Sequence, residues 1–479
     1  TLNLGVRYSL EVGQTESRDR MAFLDLDATN PLSERVGIPF TGLLGYVGTD
    51  GNSRNLLDTD TNNFAPRVGF AFQLNDRTTV RGGYGIFYAP QWISAYDTNV
   101  YAGFNSTTEW VTTLDNITPL NTLSDPFPQG FNLPSGERDP LANTGQAISG
   151  WTRDERVGYT QQWNLTLQRQ LGERLVVEAA YWASRALKQE NRSGWQENQL
   201  PNEHLALGNA LNELVPNPFY GIIEQGALSS PEVSRRQLLL PYPQYTSVVR
   251  TGVMAGNSLY NAFTIRAEKR LSGGLSLLTS YTFSKTIDDF DARPLDSYNR
   301  DRERALSTTD VPHRLVLGGI YELPFGRGKR FGDGMHPLVD AFLGGWTLSG
   351  IATYQSGFPV SIGRPAVNNG QSAALENPDI DQWFDTSVFS PAEPFTFGNV
   401  GRTQPDVRTD SVKNLDLTLT KTFTLMERYR LRFRVDSFNV TNTPQFGAPN
   451  GSVTSPAFGQ VSSTANRPRS IQFGAQLVF

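Results

Sequence analysis

The sequence predicts an all-β fold: a transmembrane antiparallel β-barrel of about twelve strands, with long extracellular loops and short periplasmic turns. Three observations predict it. About twelve segments of roughly ten residues alternate apolar and polar side chains. The connections between them alternate short and long along the whole chain. The chain closes on Ser470-Ile471-Gln472-Phe473-Gly474-Ala475-Gln476-Leu477-Val478-Phe479. In that last segment Ile471, Phe473, Ala475, Leu477 and Phe479 fall on one face, with Gln472, Gly474 and Gln476 on the other. A strand of about 9–11 tilted residues crosses the hydrocarbon layer, so its length and its aromatic end suit an outer-membrane strand.

The segments lie at about 2–10, 64–74, 78–88, 157–169, 173–183, 262–270, 275–284, 313–322, 344–354, 414–424, 428–439 and 470–479. In the second, Val68, Phe70, Phe72 and Leu74 oppose Arg67, Gly69, Ala71 and Gln73. In the fourth, Tyr159, Trp163, Leu165 and Leu167 oppose Thr160, Gln162, Asn164 and Thr166. In the eleventh, Tyr429, Leu431, Phe433 and Val435 oppose Arg430, Arg432, Arg434 and Asp436. One such segment would fit any half-buried sheet; their number favours a barrel. Short turns are expected at Asn75-Asp76-Arg77, Leu171-Gly172-Glu173, Ser272-Gly273-Gly274 and Leu425-Met426-Glu427, and a medium one at about 323–343. Long segments cover 11–63, 89–156, 184–261, 285–312, 355–413 and 440–469 and are rich in Asn, Pro, Asp, Ser and Gly. Soluble domains rarely carry several loops of that size. Within 201–214, Leu205, Leu207, Leu211 and Leu214 suggest a short helix.

Composition narrows the function. The 479 residues contain no apolar run of 18 or more, which excludes a transmembrane helix. There are no cysteines, so thiolate chemistry is impossible. A net charge of −5 gives no sign of nucleic-acid binding. The chain opens at Thr1 in strand-like pattern without a methionine, which reads as a fragment lacking upstream sequence and any export signal.

No catalytic constellation is visible, so no enzyme activity and no cofactor is expected. His204, His313 and His336 have no metal-ligand spacing; His313 reads as a polar group at the barrel rim. Asp288, Asp289 and Asp291 could hold calcium but lack the EF-hand pattern, and a solvated acidic loop is the favoured reading. Gly326-Arg327-Gly328-Lys329-Arg330-Phe331-Gly332 lacks the Walker spacing and reads as a basic periplasmic turn. Arg430, Arg432 and Arg434 are expected to face the lumen, because an arginine facing lipid at mid-bilayer costs about 2–4 kcal/mol. They would line a wet wall, pair with Asp416 or Asp436, or contact a plug or an anionic solute. Tyr8, Tyr88, Tyr181, Trp182, Phe283, Tyr321, Trp346, Tyr354 and Phe423 gather near strand ends, as interfacial girdles do. Phe473, Leu477 and Phe479 form a candidate assembly signal for the barrel-assembly machinery; the alternative is that Phe479 only anchors the strand.

Several motifs resemble the barrel of Oar-like TonB-dependent outer-membrane transporters. They are Asn63-Phe64-Ala65-Pro66-Arg67-Val68-Gly69-Phe70 with Arg81-Gly82-Gly83-Tyr84-Gly85-Ile86-Phe87-Tyr88, and Arg302-Glu303-Arg304-Ala305-Leu306-Ser307 with Asp310, His313-Arg314 and Tyr321-Glu322-Leu323-Pro324-Phe325-Gly326. Gly345-Trp346-Thr347-Leu348-Ser349-Gly350, Gln355-Ser356-Gly357-Phe358-Pro359, Arg434-Val435-Asp436-Ser437-Phe438-Asn439 with Asn442, Pro444 and Phe446 behind it, and Arg467-Pro468-Arg469 complete the set. The resemblance implies a 22-stranded barrel holding a plug, of which residues 1–479 would be the C-terminal twelve strands. It further implies an outer-membrane location, active uptake of an unidentified solute, and partners in the plug, TonB and membrane lipid. Three rival readings are a structural or adhesive surface protein, a passive pore, and a soluble lectin-like all-β protein.

Overall fold

In the computed structural model, twelve strands follow one another in chain order across a single sheet. The structure describes residues 1–89, 100–108, 110, 112–113, 119–128, 130–191, 193–224, 226–290, 292–426 and 429–479. The strands are β1 Leu2–Tyr8, β2 Phe64–Asn75, β3 Thr78–Tyr88, β4 Tyr159–Leu171, β5 Leu175–Asn191 and β6 Val253–Ser272. They continue as β7 Leu275–Asp288, β8 His313–Glu322, β9 Trp346–Gln355, β10 Val412–Met426, β11 Tyr429–Phe438 and β12 Ser470–Val478.

Every neighbouring pair in this series is antiparallel. Chain order plus antiparallel pairing forces successive connections to opposite ends. All the long segments therefore share one end, and all the short turns share the other. The turns are tight for local reasons: at β6–β7, Gly273 and Gly274 both take positive φ, 59° and 78°, which a two-residue hairpin of the primed type requires. The β10–β11 turn, where Leu425-Met426-Glu427 was expected, has β10 running to Met426, and residue 427 lies outside the described set.

Among the described residues the end strands do not pair with each other: β1 bonds only β2, and β12 bonds only β11. The sheet is open.

Two strands are much longer than the sequence pattern suggests. β5 continues to Asn191 and β6 begins at Val253, so the pair rises well past the expected 173–183 and 262–270. Register shifts between Met254 and Gly256 and between Gly256 and Ser258 break the alternation there, and a bulge hides a strand from a period-two reading. At the other extreme, β1 stops at Tyr8, short of Leu10.

The long segments are folded rather than loose. A hairpin pairs Ala22–Thr29 with Thr41–Tyr46. Ser247–Arg250 lies parallel to Ala147–Gly150 and antiparallel to Trp195–Gln196, tying three segments of chain together. The expected helix at 201–214 is a 3-10 helix, Asn202–Asn212, kinked at Gly208. Its Leu211 is fully buried with Leu200 and Leu240, and Phe395 packs against them. A separate core forms between the 356–411 and 439–469 segments, where Phe384, Phe389 and Phe458 meet edge to face. The buried hydrophobic residues thus belong mostly to the loop layer. The sheet itself leaves both of its faces open.

Candidate functional site

The register sorts the twelve strands into two faces with few exceptions. One face carries Leu4, Val68, Phe70, Leu165, Leu167 and Phe263 on the first half, as the register passes from strand to strand: Leu4 stands opposite Val68, Phe70 opposite Gly82, Gly82 opposite Leu165, Leu165 opposite Tyr181 and Tyr181 opposite Phe263, with Leu167 two residues along from Leu165. Phe70 fits because Gly82 stands opposite; a Cβ there would meet the Phe70 ring at 2.6 Å. On the second half the same face carries Leu417, Leu419, Leu431, Phe433, Val435, Phe473 and Leu477. Of the candidate girdle residues, Tyr8, Tyr88, Phe283 and Tyr354 share this face toward the loop end, Tyr321, Trp346 and Phe423 share it toward the turn end, and Tyr181 lies on it well inside β5 rather than at an end. Trp182 departs from expectation. It pairs with Asn164 and Ala262 and so lies on the opposite face.

The other face is polar. Arg430, Arg432 and Arg434 stand on it opposite Val478, Gln476 and Gly474, and Asp436 opposite Gln472. Arg434 donates to Asp436 at 2.8 Å, and Thr418 donates to the same carboxylate at 2.6 Å. Across the first half, Arg81 reaches over β4 to Glu178 at 2.8 Å. Glu178 stands opposite Arg266, which pairs with Glu268 at 3.2 Å. A chain of alternating charges thus crosses from β3 to β6. Arg67 lies over the ring of Phe87, 4.7 Å from its centroid, which accommodates an aromatic side chain among these polar ones. A second exception is an apolar patch: Leu278 stands opposite Gly318, Gly318 opposite Ile351, and Ile320 is two residues along β8. All three of these apolar side chains are well exposed.

Above the sheet, three arginines of the 356–411 segment grip three carboxylates from β7 and the 289–312 segment. Arg364 holds Glu303 through two bonds, at 3.0 and 2.8 Å. Arg408 meets Asp310 at 2.7 Å, and Arg402 meets Asp288. Glu303 and Asp310 are each only 1% exposed. These pairings replace the expected solvated acidic loop. Asp288 is spent on Arg402, and Asp289 accepts from the backbone N–H of Asn257 and from Arg300. Asp291 lies outside the described residues. Among the described residues no group of acidic or histidine side chains is arranged to hold a metal. Nothing in the spacing of Arg364, Arg402 and Arg408 signals these partners; the only sequence hint is the Arg302–Ser307 motif that contains Glu303.

Other loop contacts are equally specific. Glu16 accepts from the Arg20 side chain and from the backbone N–H groups of Arg18 and Arg20, which lowers its pKa to about 2. Burial pushes Tyr46 up to about 12, although its hydroxyl donates to the carbonyls of Ala102 and Asp139. A recess of about 390 Å³ opens among the loops, lined by Arg35, Asn105, Asp139, Gln146 and Ile223 among others. His313 sits near the loop end of β8 on the apolar face, its Nδ1 2.8 Å from the Tyr281 hydroxyl.

Residues 1–472 match the outer membrane beta barrel domain family. The chain belongs to that family. It is therefore an outer-membrane β-barrel protein, and the open antiparallel sheet is its barrel wall. No curated protein matches it. Among solved structures it is similar to the outer membrane transporter YddB from Escherichia coli, at 10% identity over 91% of this chain and 42% of that one, with a TM-score of 0.43. It is also similar to the ferripyoverdine receptor of Pseudomonas aeruginosa, at 13% identity over 91% of this chain and 34% of that one, TM-score 0.38. A third is the siderophore receptor PiuA from Acinetobacter baumannii, at 10% identity over 91% and 39%, TM-score 0.40. The chain thus spans less than half the length of these proteins.

Phe473, Leu477 and Phe479 are strongly exposed, and the first two lie on the apolar face of β12, whose outer edge has no partner strand. The geometry leaves that edge and that face available to a receiving sheet.

Proposed function

We propose that this chain is part of the barrel of an Oar-like TonB-dependent transporter, which takes up a solute without covalent chemistry. Its twelve strands would be the C-terminal part of a 22-stranded barrel, with the polar face, Arg430, Arg432 and Arg434 included, lining the lumen. Two unpaired edge strands support the larger barrel, since an open edge inside lipid leaves backbone groups unsatisfied at several kcal/mol each.

The single observation that carries the transport reading is the exposed patch of Leu278, Ile320 and Ile351 on the predominantly polar face. A water-filled pore has no use for it, and exposed apolar area costs about 25 cal/mol per Å². A plug seated in the lumen would cover it. The clamped loop layer would then form the capture surface, and TonB would act on the plug from the periplasm.

Liposome swelling tests this reading. Full-length protein reconstituted in vesicles should swell in sugar solutions no faster than empty vesicles. Rapid swelling would mean a passive pore and would contradict the plugged transporter.

A further inference from the structure

The medium-length connection between β8 and β9 contains a seven-residue helix, Pro337–Leu343. Leu338, Val339, Phe342 and Leu343 fall on one side of it at helical spacing, and all are exposed, Leu338 at 68% and Phe342 at 72%. Such a surface is out of place on a turn bathed in water.

The way the helix is fastened shows where it sits. Lys421 stands opposite Trp346 in the β9–β10 ladder, on the apolar face between Leu419 and Phe423. Its amine reaches the carbonyls of Gly344 and, at 3.5 Å, Asp340. The Trp346 indole donates to the carbonyl of Phe342 at 2.8 Å. The last turn of the helix is thus bonded to side chains on the apolar face of the sheet. The helix hangs outside the barrel wall, at its periplasmic rim.

Those bonds also matter energetically. The final carbonyls of a helix lack intrahelical partners, and unsatisfied carbonyls are excluded from lipid. Here the backbone N–H of Gly344 donates to the carbonyl of Asp340 at 2.8 Å, the Trp346 indole takes that of Phe342, and Lys421 takes that of Gly344 just past the helix. The amine also suits the negative end of the helix. Lys421, 3% exposed, lies over the rings of Trp346 and Phe423 at 5.5 and 4.9 Å. Two carboxylates of the turn accept from its own backbone. Asp340 accepts from the backbone N–H of Arg327 at 2.8 Å, and Asp333 from that of Gly328 at 2.7 Å. Lys329 is held by Glu322 at 2.7 Å, and Arg327 and Arg330 are exposed, with the Arg327 Nε donating to the Met335 carbonyl at 3.4 Å.

We propose that residues 323–345 form an anchor in the periplasmic leaflet, with the Leu338–Leu343 face set into the acyl boundary and Arg327 and Arg330 at the anionic phosphates of phospholipid headgroups. The occupant of this face is lipid, because the apolar band of the barrel wall continues directly into it. Interfacial helices lie about 5–10 Å deep at the headgroup boundary, a depth one turn of helix can use when it is already fixed to a barrel. The inference rests on the reading of the apolar face as the lipid face.

These 479 residues contain no cysteine, and any cysteine elsewhere in the full-length protein would be replaced by serine before labelling. Phe342→Cys, Leu338→Cys, Phe433→Cys and the external-loop control Glu376→Cys would each carry an environment-sensitive fluorophore. The full-length protein would be reconstituted in phosphatidylethanolamine–phosphatidylglycerol vesicles, with brominated acyl chains as one quencher and aqueous iodide as the other. Labels at 342, 338 and 433 should be quenched by brominated lipid and protected from iodide, and the label at 376 should show the reverse. Quenching at 433 with none at 342 and 338 would overturn the anchor while leaving the barrel orientation intact. Absence of lipid quenching at 433 would defeat the orientation itself. Arg327→Glu with Arg330→Glu should reduce lipid quenching at 342 in vesicles containing phosphatidylglycerol; unchanged quenching would remove the two arginines from the proposal.

Discussion

Arg364→Ala should open the loop layer without disturbing the barrel wall. Arg364 makes two bonds to Glu303, whose side chain is 1% exposed, and Glu303 also accepts from the backbone N–H of Leu295 at 2.8 Å. Removing the guanidinium leaves a carboxylate buried and unpaired, a change that costs about 3–5 kcal/mol. Little of this is lost to solvent screening, since Arg364 is itself only 11% exposed. The strands are held separately by their ladders, so the cost falls on local opening of 289–312 against 356–411. Each 1.4 kcal/mol is tenfold in an equilibrium, so amide exchange in those segments should accelerate by on the order of 10²–10³-fold, up to the local stability. Hydrogen exchange read by mass spectrometry measures it, with β8–β11 peptides as the internal control. Replacing both partners, Glu303→Met with Arg364→Met, should recover part of the protection because no lone charge remains buried. Native-like exchange in Arg364→Ala would refute the reasoning and reduce the pair to a surface contact.

Further outcomes follow from other contacts. Deleting Phe479 in the full-length protein should lower outer-membrane levels and heat-modifiable gel mobility more than Leu417→Ala does; equal levels would leave Phe479 as an interfacial anchor only. Glu16 has a folded pKa near 2 against an ordinary 4.5. Its contribution is therefore fully present above about pH 4.5 and lost as pH falls toward 2, so amide protection of the Arg18–Arg20 turn should hold at pH 5 and fade across that window. Gly252→Ala would place a Cβ 1.9 Å from the Trp151 ring at a residue with φ of 62°. Displacing that ring should cost about 1–3 kcal/mol locally and show as increased protease cutting near 151 and 252, with the strands intact.

The barrel wall is legible in the sequence because its physics is periodic. In β11, Arg430, Arg432 and Arg434 separate from Leu431, Phe433 and Val435 by parity alone, and the β11–β12 register keeps them separated. Parity fails where a bulge intervenes, as at Gly256 in β6. For Trp182 parity is the better guide: aromatic character suggests a girdle, but its position in the alternation puts it on the polar face, where the register places it. The loop layer is illegible for a different reason. Its strands are two to eight residues long, and its key bonds join residues such as Asp288 and Arg402 that are 114 positions apart. The anchor helix lies in between: its apolar residues are visible in sequence, but only Lys421 and Trp346 show which side of the wall they meet.

The orientation of the wall is the central claim, and adjacent residues of β11 test it most directly. Spin labels at Phe433→Cys and Arg432→Cys in the reconstituted full-length protein should report opposite environments. The label at 433 should be relaxed by oxygen, which concentrates in lipid, and that at 432 by a water-soluble nickel chelate. Nickel access at 433 with oxygen access at 432 would invert the wall and contradict the account.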